Sequence, residues 1–206
     1  MRRGLMAWDS DEIPVRVLKE RAERLQAAMA AAGQDALILY TTSHGAPFGL
    51  YYNDGDSGYG AISPNRMRAM LDQLGLRNRL LILSACFSGV FVPVLASPGT
   101  AIVTAASADR TSFGCAADND WTFFGDAMIN RALRRPQPLA AAFVEAQGLV
   151  ADWEARVRTT PSWPQIDVGA RAASWLGPLE QRMPRAETSP VGRPAIETTP
   201  IAAGSR

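Results

Sequence analysis

Leu80-Leu81-Ile82-Leu83-Ser84-Ala85-Cys86-Phe87-Ser88-Gly89 is the stretch on which the fold turns. Four consecutive large aliphatic residues leave no polar face, so 80–85 reads as a strand covered on both sides, as in a parallel sheet. Small residues then replace large ones and deliver Cys86 at the carboxyl edge of that strand. Residues 87–95 read as the start of a helix that Pro93 shortens or kinks.

The same profile recurs on either side. Upstream, Ala36-Leu37-Ile38-Leu39-Tyr40 is continuously apolar and runs into Thr41, Thr42, Ser43, His44 and Gly45; downstream, Thr100-Ala101-Ile102-Val103-Thr104-Ala105 repeats it. Between these strands, 47–63 is rich in Gly, Asp, Asn and Tyr and reads as a hairpin or long loop. Ser63 makes an N-cap with Pro64 at the first helical position, and Gly75 stops the helix they start. Apolar residues at Val15, Leu18, Ala22, Leu25 and Met29 predict a helix over 15–32, closed by Gly33.

Beyond the third strand, 106–120 reads as a loop, and 121–134, 138–158 and 169–183 as helices. Proline, serine, threonine and glycine are then frequent and almost no residue is large and apolar except Ile196 and Ile201, so 184–206 is expected to be a disordered tail. The expected organisation is a leader over 1–14, one domain over 15–183 and that tail. Strands alternating with helices through short loops make the domain α/β around a mostly parallel sheet. Ligands bind such sheets at the carboxyl ends of the strands. Both His44 and Cys86 fall there.

Composition narrows the function. The 206 residues are 47% hydrophobic and 20% charged, which excludes a fibrous or wholly disordered chain. Twenty-one basic against 20 acidic residues give a net charge of +1, so no global field draws nucleic acid or an anionic membrane. Neither partner is expected. The bases are nearly all arginine, scattered and not interleaved with aromatics, which does not describe a nucleic-acid surface. No apolar run is long enough to span a bilayer, and the acidic Asp9-Ser10-Asp11-Glu12 interrupts any secretory signal, so this sequence does not assign a compartment. Asp54 and Asp56 faintly resemble a calcium loop, but its closing carboxylate position is Asn65, and turn chemistry is the better reading. One His and two Cys lack zinc spacing. No cofactor is expected.

A lone strand-end histidine is commonly structural, and a cysteine beside Ala and Ser is commonly a small hydrophobe. A Cys86–Cys115 bridge is open on count alone. The sharper reading is a Cys-His dyad: a thiol is mostly protonated at neutral pH, and an imidazole with a helix N-terminus is a usual way to activate it. Small neighbours (Ser43, Gly45, Ala85, Ser88, Gly89) let a substrate backbone approach and leave main-chain amides for an oxyanion. The arrangement parallels a caspase signature in which Ala-Cys is followed by a variable residue and Gly, with the His roughly 50 residues upstream.

The longer pattern resembles the legumain family more closely. Thr42-Ser43-His44-Gly45-Ala46-Pro47, Ala85-Cys86-x-Ser88-Gly89, and Thr104-Ala105-Ala106 leading to Thr111-Ser112-x-x-Cys115 and Gly125-Asp126 are similar to legumain-type cysteine peptidases of the caspase/legumain clan. Pro161-Ser162-x-Pro164-Gln165 is similar to the bacterial branch. The resemblance spans 36–176 and implies a caspase/legumain-like sandwich, a mostly parallel sheet flanked by helices. It implies that Cys86 attacks a scissile carbonyl, that His44 protonates the leaving amine, and that the amides of Gly45 and Cys86 hold the oxyanion. It also implies that Thr111, Ser112 and Asp126 line the pocket for the side chain before the scissile bond; as a residue alone, Asp126 reads equally as a helix N-terminal carboxylate. Phe87 stands where legumains carry an acidic residue, so asparagine selectivity does not transfer. The family's fold starts with a strand and helix upstream of those found here, so the resemblance implies a missing first strand. Two classes of function stay open: a cysteine endopeptidase acting on peptide or protein substrates, or a shortened or degenerate homologue that binds without catalysis.

Overall fold

The structure, a computed structural model, describes residues 36–53, 59–115, 119–182 and 187–199. The expected leader, the helix over 15–32, the place of a first strand and the calcium-like turn at 54–58 lie outside the described residues. The strands are β1 (Ala36–Thr42), β2 (Gly45–Ala46), β3 (Gly49–Asn53), β4 (Tyr59–Ile62), β5 (Asn78–Ser84), β6 (Thr100–Thr104) and β7 (Gln165–Val168). The main sheet has the order β1-β5-β6-β7; the first three strands are parallel and β7 runs antiparallel to β6. The segment read as a hairpin or loop is the meander β2-β3-β4.

β5 and β6 are buried on both faces, as their unbroken apolar runs require. Successive side chains point to opposite faces. Leu80 and Ile82 therefore join one core with Val103, Phe124, Met128, Phe143 and Trp153, while Leu81 and Leu83 join the other with Ile102, Phe91, Met67 and Leu71. Two cores on one sheet make a three-layer α/β sandwich. The first helix, α1 (Pro64–Gln73), covers the second core; Ser63 Oγ accepts the Arg66 N–H and Gly75 takes a φ of 68°, as the cap residues predict.

Four expectations need correction. β1 is not buried on both faces: Ile38 is 53% exposed, because β1 is the edge of the sheet among the described residues. The helix expected after Cys86 is a 3-10 turn (Ser88–Phe91) passing into a single α-turn, α2 (Val92–Leu95). Pro93 stands in the first turn of α2, where its missing N–H is no loss, so it begins that turn rather than breaking it. The helix expected over 121–134 is a π-turn (Gly125–Arg131) followed by a 3-10 turn (Ala132–Arg134). Its wider winding brings Asp126 beside both Asn130 and Arg131.

The fourth correction concerns the tail. After α3 (Leu139–Arg156) and α4 (Ala173–Arg182), residues 187–199 lie on the body and end in the short helix α5 (Ala195–Thr198). Ala195 is fully buried and Ile196 packs on the first core. Composition predicted no order there, because the hydrogen bonds that hold it come from distant residues, chiefly Asp120, Trp121, Asp126 and Asn130.

Candidate active site

Parallel pairing builds the site. Thr42 lies opposite Ser84, and the Ser43 N–H donates to the Ser84 carbonyl at 3.1 Å, so β1 and β5 stay in register to their last residues. The next residues are His44 on one strand and, past Ala85, Cys86 on the other. Gly45 lies against this end: a Cβ built on it would fall 2.0 Å from the Cys86 carbonyl oxygen and 3.1 Å from Ala85 Cβ. Only a residue without a side chain permits that approach. The Tyr51 N–H donates to the His44 carbonyl at 2.9 Å, which makes residues 44 and 51 a hydrogen-bonded pair. Antiparallel pairs alternate, so Gly45 faces Leu50 as a non-hydrogen-bonded pair and its N–H points away from the meander.

Cys86 is followed by backbone strain. Phe87 has φ 56° and ψ 16°, a left-handed conformation uncommon for a large side chain. Long-range contacts impose it. The Phe87 N–H donates to the Arg110 carbonyl at 2.7 Å, Ser88 Oγ accepts the Ala106 N–H at 3.2 Å, and a Cβ on Gly89 would meet the Ala108 nitrogen at 2.5 Å. The turn bearing Cys86 is thus fastened to the loop after β6. The Arg110 guanidinium lies over the Trp163 ring, 4.2 Å from its centroid. Ser162, in the proline-flanked motif, takes the Ser107 N–H on its carbonyl and gives its own N–H to Glu154.

Of the residues read from sequence, Ser112 is brought to Cys86. Its N–H donates to Cys86 Sγ at 3.3 Å, the thiol reaches its carbonyl at 3.4 Å, and the two side chains lie 3.7 Å apart. A sequence reading assigns the role of N–H donor to a helix start; here a loop amide takes it, since the helix after Cys86 is so short. Thr111 is exposed beside Ser112. His44 is also exposed, and among the described residues no hydrogen bond joins its imidazole to Sγ. Cys86 and Cys115 are both free thiols. Burial pushes the Cys115 thiol above its usual range, and the charge of nearby Cys86 adds to the shift.

Asp126 is not brought to Cys86 in a form that could meet a substrate. It is fully buried, and both oxygens are engaged: Oδ1 accepts from Asn130 at 2.8 Å and Arg131 Nε at 3.1 Å, and Oδ2 from the Ala195 N–H at 2.9 Å. The expectation that it lines a substrate pocket gives way to a structural role.

A cavity of about 260 Å³ instead opens near the strand ends, lined by Tyr40, Thr42, Gly114, Cys115, Asn119, Asp120, Trp121 and Thr122. Thr122 ties it to the site, its hydroxyl 3.0 Å from that of Ser84, two residues before Cys86. Asp120 is the carboxylate in this lining. Sequence reasoning passed over it because it lies in a loop with no motif; the signal available was a carboxylate just before an apolar helical run. Burial pushes the Tyr40 phenol upward, partly offset by hydrogen bonds with Thr42 and Ser84. Among the described residues no group of three or more His, Cys, Asp and Glu could hold a metal, and no helix is long and apolar enough to cross a membrane.

Comparison with known proteins adds three findings. No curated protein matches the sequence. Caspase-1 from Spodoptera frugiperda is similar in structure, with a TM-score of 0.49 and 17% identity over 73% of this chain and 67% of that one. The model of the Peptidase C13 family matches residues 15–170, which take in both strand ends, the Ser112 loop and the proline-flanked motif. With a mostly parallel sheet between two cores and His-Gly and Ala-Cys at the ends of paired strands, the chain belongs to the Peptidase C13 family, the legumain family, and its function is of the cysteine peptidase kind.

Proposed function

We propose that this protein is a cysteine endopeptidase in which Cys86 is the nucleophile and His44 the acid and base. The observation that carries the reading is the approach of Gly45 to the Cys86 carbonyl, since it brings the backbone after His44 against the main chain of Cys86. Cys86 Sγ bonds to the scissile carbonyl carbon, and the thiol proton passes to His44. The oxygen, now negative, lies within reach of the Gly45 and Cys86 N–H groups, which stabilise charge that exists only in the transition state and intermediate. His44 returns the proton to the leaving nitrogen, the carbon–nitrogen bond breaks, and a thioester remains. Water, losing a proton to His44, then cleaves the thioester and restores the thiol.

Selectivity follows the cavity. Asp120 with the Thr42 and Thr122 hydroxyls favours a neutral amide or a basic side chain over an acidic one, which would meet like charge. Ser112, in contact with the thiol, and the exposed Thr111 beside it are suited to the substrate backbone.

The test treats the full chain with peptide acyloxymethyl ketones carrying Asn, Asp, Lys or Arg before the warhead and maps the adduct by mass spectrometry. Labelling at Cys86, strongest with Asn, Lys or Arg, is expected. Cys86→Ala and His44→Ala should each abolish labelling and turnover, Cys115→Ala should keep most of both, and the double variant of Cys86 and His44 should be scarcely worse than either single one. Peptide binding without labelling or turnover would instead make the protein a binding homologue. A profile dominated by Asp would sink the cavity assignment.

A further inference from the structure

We propose that residues 187–199 are a positioning brace for the wall of the cavity that Cys115 and Thr122 also line, acting on Asp120 and Trp121 of that wall. The proposal deepens the peptidase reading and rests on it for what the cavity binds. Two residues lining the cavity are held from outside by this segment. Trp121 Nε1 donates to the Val191 carbonyl at 2.9 Å, and Asp120 Oδ2 accepts the Arg193 N–H at 2.7 Å, with the Arg193 guanidinium nitrogen 3.7 Å away. Gly192 lies between those contacts. Its φ is 73°, and a Cβ there would fall 3.0 Å from Asp120 Oδ2 and 3.2 Å from Trp121 Nε1. The segment therefore presses on the wall as closely as glycine allows.

Deeper bonds set its position. Asn130 reads Val191 from both sides, its amide donating to the carbonyl and its oxygen accepting the N–H, each at 2.9 Å. Asp126 accepts the Ala195 N–H where the chain enters α5. This is the use the fold makes of the buried carboxylate that sequence assigned to substrate. On the inner side the wall is held by the Asn119 amide on the Gly114 carbonyl and by Thr122 on Ser84. Loss of the brace would leave Asp120 and Trp121 supported only from within, so substrate would be bound in a looser cavity while the thiol and its Ser112 contacts stayed in place. That predicts a change in KM rather than in kcat.

The experiment uses the full chain with Gly192→Val, and with Trp121→Phe as a variant that keeps an aromatic, though smaller, side chain and removes one hydrogen bond. Amide exchange is followed across 119–122 and 187–199, with KM and kcat on a peptide and the rate of Cys86 alkylation by iodoacetamide, a reagent too small to need the cavity. For Gly192→Val, faster exchange in both segments is expected, with KM raised about tenfold, kcat within about threefold and alkylation unchanged. Trp121→Phe should move exchange and KM the same way by less. Release of 187–199 with exchange at 119–122 and KM unmoved would overturn the proposal, as would a segment that stays in place in Gly192→Val or a loss shared equally by KM, kcat and alkylation. If the unmodified protein is neither labelled nor active, the peptidase reading fails and the exchange comparison still decides the brace.

Discussion

At the scale of single residues, the site depends on two backbone positions as much as on two side chains. Gly45 is there because the Cys86 carbonyl lies where its side chain would be, and Phe87 is strained because the Arg110 carbonyl holds its amide. Positive φ at a residue beside the proposed nucleophile is the sort of outlier that an active site retains and the surroundings stabilise. Gly45→Ala should push the His44 strand away from Cys86 and lower kcat by about 100-fold, the loss associated with one oxyanion donor. Far-UV circular dichroism should stay unchanged and Cys86 should still alkylate. Activity within twofold of the parent would remove Gly45 from the oxyanion hole.

Among the elements, α3 carries a group whose protonation should be visible in stability. Glu154 is buried, accepts the Ser162 N–H on Oε2, and has no partner on Oε1 among the described residues. Burial raises its pKa above the usual 4.5, with the Ser162 contacts opposing part of the rise. The folded protein thus holds that proton more tightly than the unfolded chain. Its contribution to stability is fully present below the ordinary glutamate range and is lost as pH rises through the raised value. Glu154→Gln keeps an acceptor and removes the titration, so its urea midpoint should gain on the parent's as pH rises from about 4 to 7. A difference between the two midpoints that is constant over that range would contradict the assignment. Because Ser162 also takes the Ser107 N–H behind the Cys86 turn, the same pair of proteins reports how the proline-flanked motif supports the site.

Across the whole molecule, order should follow double burial. β5 and β6 lie between both cores, whereas β1 covers one core and shows Ile38 and Tyr40 on its other face. Amides of 80–83 and 101–103 should exchange only through global unfolding, and those of 38–42 faster, through local opening. Equal protection in β1 and β5 would mean that another segment covers the edge. The sequence by itself determined the three parallel strands, the capped helix after Ser63, and the placing of His44 and Cys86 at the ends of strands that prove adjacent. Those follow from local periodicity, from capping chemistry and from the rule that sheet ligands gather at carboxyl ends, none of which needs distant contacts. Only the tertiary structure decided that Ser112 meets the thiol, that Asp126 is buried and Asp120 lines the cavity, that β7 closes the sheet antiparallel, and that 187–199 is ordered. β7 is four residues with exposed ends, too short for a period to declare itself, and the tail's order comes from Asp120, Trp121, Asp126 and Asn130, more than 60 positions away in the chain. Contacts of that range leave no mark in composition, since each partner alone is an ordinary polar residue and only folding sets them together.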